Sequence, residues 1–386
     1  MQVALVTGAL TPNRLPTYER LASLCGEFHV FAPTGRDPTR IQQVSSQGWP
    51  GLYIHIVPGL STFVRRRDWG IYLSPGLWHA LEEVGPTQVL VDGYVTPNHW
   101  TGMLYATHQR LPLTLWWGSH SLSSRSRGRV MTGLRRLALR LVDSVVTYGH
   151  LASQQVIGLG FDPARVVTGT NTVNTETLAC LVHRRRGQLT TEGAVQETRF
   201  LYVGQFIERK GVRELLRIFT DASPSLGRLT LVGYGSLEAE LRSMASHGDV
   251  NVRFAGSSRT LEELAEHYAQ ADVLVMPSLL EVWGLVVNEA LAAGLYVLAS
   301  KRAGATHDLI ELAPTDVGRA FDPDDEVDFR RALTHATERV RAGLDRESIT
   351  AWGKAHTPAT YAAKIWEALA LAREAHNARV SRAFQS

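Results

Sequence analysis

Cysteine is scarce in this chain: Cys25 and Cys180 are the only two in 386 residues, too few for a disulfide framework or a cysteine-built metal cluster. No His/Cys spacing matches a zinc site. No Gly-x-Gly-x-x-Gly follows the first strand pattern, which argues against a nicotinamide oxidoreductase. No apolar run is long enough to span a bilayer. The opening residues, MQVALVTG, lack the basic start and long apolar core of a signal peptide and read as a first strand instead. Net charge is small as well. A formal +3, with pI near 8.9 and no interleaved basic and aromatic platform, gives no ground for a nucleic-acid partner. The expectation is a cytoplasmic protein, soluble or at most peripheral at the inner face of the membrane.

What the chain does contain is α/β alternation. At 44% hydrophobic content its length suffices for two cores. Apolar strand patterns at Gln2 to Thr7, Glu27 to Ala32, Tyr53 to Val57, Gln88 to Asp92, Leu113 to Trp117 and Ser144 to Tyr148 alternate with helical stretches such as Thr17 to Cys25 and Leu77 to Val84. That order predicts a parallel sheet covered by helices. The polar, charged run from His183 to Arg199 breaks the pattern and reads as a linker. The expected division is therefore a first domain over 1–185, a linker over 186–198, a second domain over 199–355 and a terminal helical region over 356–386. In that last region Tyr361, Ile365, Leu369 and Ala372 fall at helical spacing.

The densest information lies in Met276 to Gly294, MPSLLEVWGLVVNEALAAG. The apolar run before it ends at Pro277 as a buried parallel strand would. A loop follows, and from Gly284 the residues Leu285, Val286, Ala290 and Leu291 have helical spacing that stops at Gly294, a C-cap. A helix beginning at Gly284 and Leu285 offers free N–H groups and a positive dipole end to an anion. Glu281 and Glu289 flank that corner, two carboxylates able to address one bound molecule.

Glu-x7-Glu, with PS before it, WGL inside it and EALAAG after it, resembles the donor site of retaining, GT-B-type glycosyltransferases of the glycosyltransferase 4 kind. The resemblance covers nearly the whole chain and is specific after about residue 200. It implies two Rossmann-like α/β domains facing a central cleft, the first binding an acceptor and the second a nucleotide sugar, with the terminal helix returning to the first. It implies that Glu281 contacts the transferred sugar, that the backbone from Trp283 through Gly284 to Leu285 faces sugar and diphosphate, and that Glu289 holds the ribose hydroxyls. Within FLYVGQFIERKGVRELLRIF, Lys210 matches the lysine that meets the diphosphate. Gln205 stands where the family usually has Arg. Arg209 is either a substitute cation or a solvated loop charge. Gly233 and Gly235 resemble a Gly-x-Gly turn, and Gly256 and Ser257 fall where relatives seat the base.

The first half matches less closely. His120, after the strand Leu113 to Trp117, corresponds to a histidine that contacts the donor's sugar hydroxyls, and the competing reading is a structural cap on the next helix. His79, His99, His108 and His150 read as ordinary surface or core residues. The first loop offers only Gly8 where relatives have a Gly pair, with Asn13, Arg14 and Pro16 beside it; Arg14 faces donor, acceptor or solvent. Asn171, Thr172 and Asn174 resemble an interdomain loop or serve a turn. Two basic clusters, Arg65 to Arg67 and the arginines at 125, 127, 129, 135, 136 and 140, suit an anionic membrane surface or a phosphate-bearing acceptor, or are solvated faces.

The function so implied is transfer of a sugar, with retention, from a nucleotide-diphosphate sugar to a hydroxyl acceptor, in cell-envelope or exopolysaccharide synthesis. No cofactor and no metal are called for, since the family neutralises the diphosphate without one. The alternatives are a nucleotide-sugar epimerase and a non-catalytic GT-B homologue that acts as a nucleotide-binding or regulatory partner.

Overall fold

The computed structural model describes residues 1–33, 48–64, 69–123, 128–188, 197–222, 226–246 and 251–383. Two compact units make up the chain, one of residues 1–170 with 358–386 and one of 171–357. The arginines at 65, 66, 67, 125 and 127 lie outside the described residues, as do 189–196 of the expected linker.

The first unit carries β1 (Gln2–Val6), β2 (Glu27–Ala32), β3 (Leu52–Ile56), β4 (Leu60–Val64), β5 (Trp69–Leu73), β6 (Gln88–Val91), β7 (Leu113–Trp117), β8 (Ser144–Thr147) and β9 (Val166–Thr168). Seven of them form a parallel sheet in the order β3-β2-β1-β6-β7-β8-β9. Its central strands are fully buried, as their near-continuous Val/Leu/Trp runs require of a sheet covered on both faces. β4 and β5 pair antiparallel as a separate hairpin, which is not among the strands expected from the sequence. β9 was missed too, being only three residues long.

The terminal helix, Pro358–Ala383, lies on one face of this sheet. Tyr361, Ile365, Leu369 and Ala372 are among the residues it buries, and the larger of them each contribute roughly 1.5–3 kcal/mol by leaving water. Polar bonds fix its register. Gln88 donates its side-chain amide to the Leu369 carbonyl (2.8 Å), Ser144 its hydroxyl to the Ala368 carbonyl (2.7 Å) and Trp116 its indole N–H to the Tyr361 hydroxyl (2.5 Å).

The second unit carries β10 (Arg199–Val203), β11 (Arg228–Val232), β12 (Val252–Gly256), β13 (Val273–Met276), β14 (Tyr296–Ser300) and β15 (Gly318–Phe321), all parallel, in the order β12-β11-β10-β13-β14-β15. This is the doubly wound 3-2-1-4-5-6 pattern. The order of strand addition reverses between β10 and β13, and the crevice at the carboxyl ends of those strands is the expected ligand position.

The unit boundary departs from the expected one. The helix Thr175–Arg186 packs against the helices Leu261–Ala269 and Leu285–Ala292 and so belongs to the second unit, with the division at 170 rather than 185. The charge that suggested a linker is in part structural. Arg186 donates to the carbonyls of Ala293 (2.6 Å), Ala269 and Tyr268. Burial, then the neighbouring Arg346 charge, bring its guanidinium down to about 10. Beside it Arg199 (2.7 Å) and Arg346 (2.5 Å) grip buried Asp272. Burial alone would push that carboxyl up, but the two guanidiniums, Arg199 foremost, outweigh it and hold Asp272 below the usual carboxylate range.

Asp272→Asn leaves like charges clustered without their counter-ion. Denaturant unfolding at pH 7 is expected to show a loss of about 3 kcal/mol, the scale for removing one partner of a buried pair. A folded pKa below the unfolded one means that this stability is present in full above the ordinary carboxyl value and fades as pH falls through the folded value. The gap between variant and parent therefore closes in acid; a gap independent of pH would contradict the assignment.

Candidate donor site and the switch point of each unit

The loop after β13 and the loop after β10 are locked together by backbone. The Arg209 carbonyl accepts the N–H groups of Leu279 (2.9 Å) and Leu280 (3.2 Å). Gly211, left-handed at φ 65°, lies so close against the Pro277 carbonyl that a Cβ has no room. This brings together Lys210 and Glu281, 71 positions apart in sequence, as an ion pair, with the Ser278 hydroxyl at 3.4 Å from the same carboxylate. Glu281 is only 14% exposed. Burial pushes its carboxyl up, but Lys210, then Arg209 and Ser278, outweigh that and hold it below the usual carboxylate range.

Gly284 stands at the corner with φ 102°, and a Cβ there would lie 2.7 Å from the Met276 sulfur. The helix Leu285–Ala292 starts directly after it, with no side-chain cap and no acidic residue in its first turn. Its leading N–H groups are thus available to an anion. Glu289 lies on this helix and accepts the Tyr268 hydroxyl at 2.7 Å. Burial, then the Glu289 charge, raise the Tyr268 phenol well above its ordinary value, so it remains a donor.

Other sequence candidates fall into place unevenly. The Trp283 indole is buried, donating to Asn288 (2.9 Å), which in turn donates to the Asn171 carbonyl (3.1 Å); its side chain is core, and only its position in the corner backbone fits the expected role. Gly233 and Gly235 are pressed against the backbone of Gly204 and Phe206, so close packing of two loops accounts for them. Gly256, in contrast, ends β12 at φ 76° with open space where a Cβ would stand. The Gln205 carbonyl accepts the Tyr202 hydroxyl at 2.8 Å, which fixes that loop's backbone. Thr172 donates to the His356 carbonyl (2.5 Å), and Asn174 caps the helix Thr175–Arg186 through the Thr177 N–H. The turn reading of that segment therefore has a structural basis.

In the first unit His120 is buried at the carboxyl end of β7, its backbone N–H bonded to the Ser123 hydroxyl at 2.9 Å. The switch point there lies between β1 and β6 and centres on Asp92, which the sequence reading missed although it ends the apolar run QVLVD. Asp92 accepts from the Thr7 hydroxyl (2.5 Å), the Gly8 N–H (3.2 Å), Arg14 (2.8 Å) and His99 Nε2 (3.1 Å). Since His99 Nδ1 accepts the Thr96 N–H, the network assigns the ring proton to Nε2. Burial would raise the Asp92 carboxyl; His99 and Arg14 outweigh it and lower it. Arg14 does not merely face solvent: it bonds Tyr148 and stacks over Trp116 at 4.5 Å. Tyr268 and His99 were likewise missed as partners, because a single residue on a helix carries no sign of what it will meet.

Among the described residues no group of three or more His, Cys, Asp or Glu is placed to hold a metal, and no described helix is long and apolar enough to cross a membrane.

Two Rossmann-like units of this kind define the GT-B fold. HepE of Anabaena, solved in complex with UDP, superposes with a TM-score of 0.72 over 96% of this chain and 100% of that one; at 15% identity the likeness speaks for the fold alone. Residues 197–339, within the second unit, match the family model Glycosyl transferases group 1. Sulfoquinovosyl transferase SQD2 of Arabidopsis thaliana is 32% identical over 187 residues, 46% of this chain and 36% of that protein. The amylovoran biosynthesis glycosyltransferase AmsK of Erwinia amylovora is 32% identical over 120 residues, 28% of this chain and 29% of that one. The matched stretch thus spans about a third of each curated relative.

Replacing Lys210 with Met removes the charge that outweighs burial at Glu281. The Glu281 carboxyl is expected to move from below to above the ordinary glutamate value, as followed by carbon NMR across a pH titration. An unmoved carboxyl would show that the ion pair does not govern this site.

Proposed function

We propose that the protein is a retaining glycosyltransferase that moves a sugar from a nucleotide-diphosphate sugar to a hydroxyl acceptor. The observation that carries this reading is the Lys210–Glu281 pair beside the uncapped helix start at Gly284, with Glu289 on the same helix. Breaking the bond between sugar and diphosphate leaves negative charge on the departing phosphates. Lys210 and the first N–H groups after Gly284 stabilise it, with Arg209 adding positive charge where Gln205 offers none. Glu281, kept ionised, orients the sugar hydroxyls and favours the positive charge that develops on the ring. It is assigned no role as a nucleophile. Glu289 receives the ribose hydroxyls, steadied by Tyr268. Gly256, with open space around it, lets the base approach the β12 backbone. His120 contacts the donor sugar. No metal or cofactor is required, since cationic and backbone donors meet the diphosphate.

UDP in HepE supports a uridine donor, and the name of AmsK supports polysaccharide assembly in the cell envelope or outside it. Peripheral membrane contact is part of the proposal. The helix Arg129–Leu141 leaves Val130, Leu134 and Leu137 exposed, Val130 to 80%, next to exposed Arg129, Arg136 and Arg140, and it has no acidic residue. Such a face suits an anionic leaflet at the cytoplasmic side.

Turnover of UDP-, GDP- and ADP-sugars, with the product anomer read by proton NMR, tests the reading. One donor is expected to be consumed with its anomeric configuration kept, and Lys210→Ala to slow it about a hundredfold, the cost of losing one charge-stabilising donor. An inverted product contradicts retention. Epimerised donor without acceptor points to the epimerase, and stabilisation by nucleotide with no turnover to the non-catalytic reading, which Gln205 favours. Vesicle flotation checks the membrane face: Val130→Glu with Leu137→Glu is expected to abolish flotation with phosphatidylglycerol vesicles, and unchanged flotation would refute that contact.

A further inference from the structure

The donor site occupies the carboxyl ends of the second sheet. At the amino ends of β10, β11 and β12 a shallow hollow open to solvent is lined by Arg199, Arg228, Arg253, Thr230, His267 and Gln270, with Phe200, Leu201 and Ala271. Three arginines, a histidine, a hydroxyl and an amide surround it, and among the described residues no carboxylate lines it.

Strand register makes the clustering unavoidable. Arg199 pairs directly with Arg228, and Thr230 with Arg253, so both rungs point to one face. Like charges opposite each other on neighbouring strands are destabilising. For Arg199 the repulsion is offset by Asp272, which takes its Nε and Nη2. Arg228 and Arg253 have no such relief: neither side chain has a hydrogen-bond or ion-pair partner among the described residues. Burial foremost, then the Arg253 charge, hold the His267 imidazole below its ordinary value, against the opposing pull of Glu266 and Glu263.

We infer that this hollow is a second anion site, binding a phosphoryl group between Arg228 and Arg253 with Thr230 and Gln270 as further donors. It is separate from the donor site, and nothing in it depends on the reading of that site. A phosphoryl group meets these donors whether it belongs to a soluble phosphate compound or to a phospholipid headgroup.

Calorimetric titration of the full chain with inorganic pyrophosphate tests this. A Lys210→Ala background silences the diphosphate contact of the donor site. Pyrophosphate is expected to bind that variant and to bind about tenfold more weakly or worse when Arg228→Gln and Arg253→Gln are added, as loss of two charge-assisted hydrogen bonds implies. Both arginines are exposed, so folding should survive, and a circular dichroism melt verifies it. No binding to Lys210→Ala, or equal binding with and without the arginines, overturns the site. UDP binding by the chain carrying only Arg228→Gln and Arg253→Gln separates this outcome from failure of the donor reading. Vesicle pelleting then assigns the source. A loss of pelleting on phosphatidylglycerol vesicles caused by the two arginine substitutions marks a lipid headgroup, and unchanged pelleting marks a soluble phosphate.

Discussion

An ionised carboxylate that is mostly buried must be held by a charge, and at position 281 that charge is Lys210. The pair forms only because backbone contacts bring two distant loops into register: the Arg209 carbonyl bonded to Leu279 and Leu280, and Gly211 seated on Pro277. A side chain at 211 would part the loops and leave Glu281 to its desolvation. The same loops frame the uncapped helix start at Gly284, so cation, carboxylate and helix dipole are set by one backbone arrangement. In the proposed chemistry, that arrangement separates the group that receives the leaving phosphates from the group that faces the sugar.

Buried carboxylates anchor other parts of the molecule by the same logic. Asp92 gathers four donors at the first sheet's switch point and fixes Arg14 against Trp116. Asp272 gathers arginines at the opposite end of the second sheet from the candidate donor site, where it ties the start of β10 to the helix Arg346–Lys354. In that sheet the carboxyl ends bear the balanced Lys210–Glu281 pair, while at the amino ends Arg228 and Arg253 have no ion-pair partner among the described residues.

Much of this was legible in the sequence. Strands buried on both faces declare themselves as unbroken apolar runs, and β2 and β7 fall at the expected residues. The corner at Gly284 was readable because glycine, helical spacing and two flanking glutamates lie within one short segment. Less local features were not. The hairpin of β4 and β5 stands apart from the parallel sheet, outside the strand and helix alternation that marks it. The helix Thr175–Arg186 was assigned to the wrong unit because Arg186 resembles a solvated charge until its carbonyl partners are known. Tyr268 on Glu289 and His99 on Asp92 are contacts that periodicity cannot express.

Calorimetry with UDP and UMP, compared between the parent chain, Lys210→Ala and Glu289→Gln, tests the central claim most directly. If Lys210 meets the diphosphate and Glu289 the ribose, the preference for UDP over UMP collapses in Lys210→Ala and survives in Glu289→Gln, where both ligands weaken together. Parent-like UDP affinity in both variants would place the nucleotide elsewhere and contradict the account.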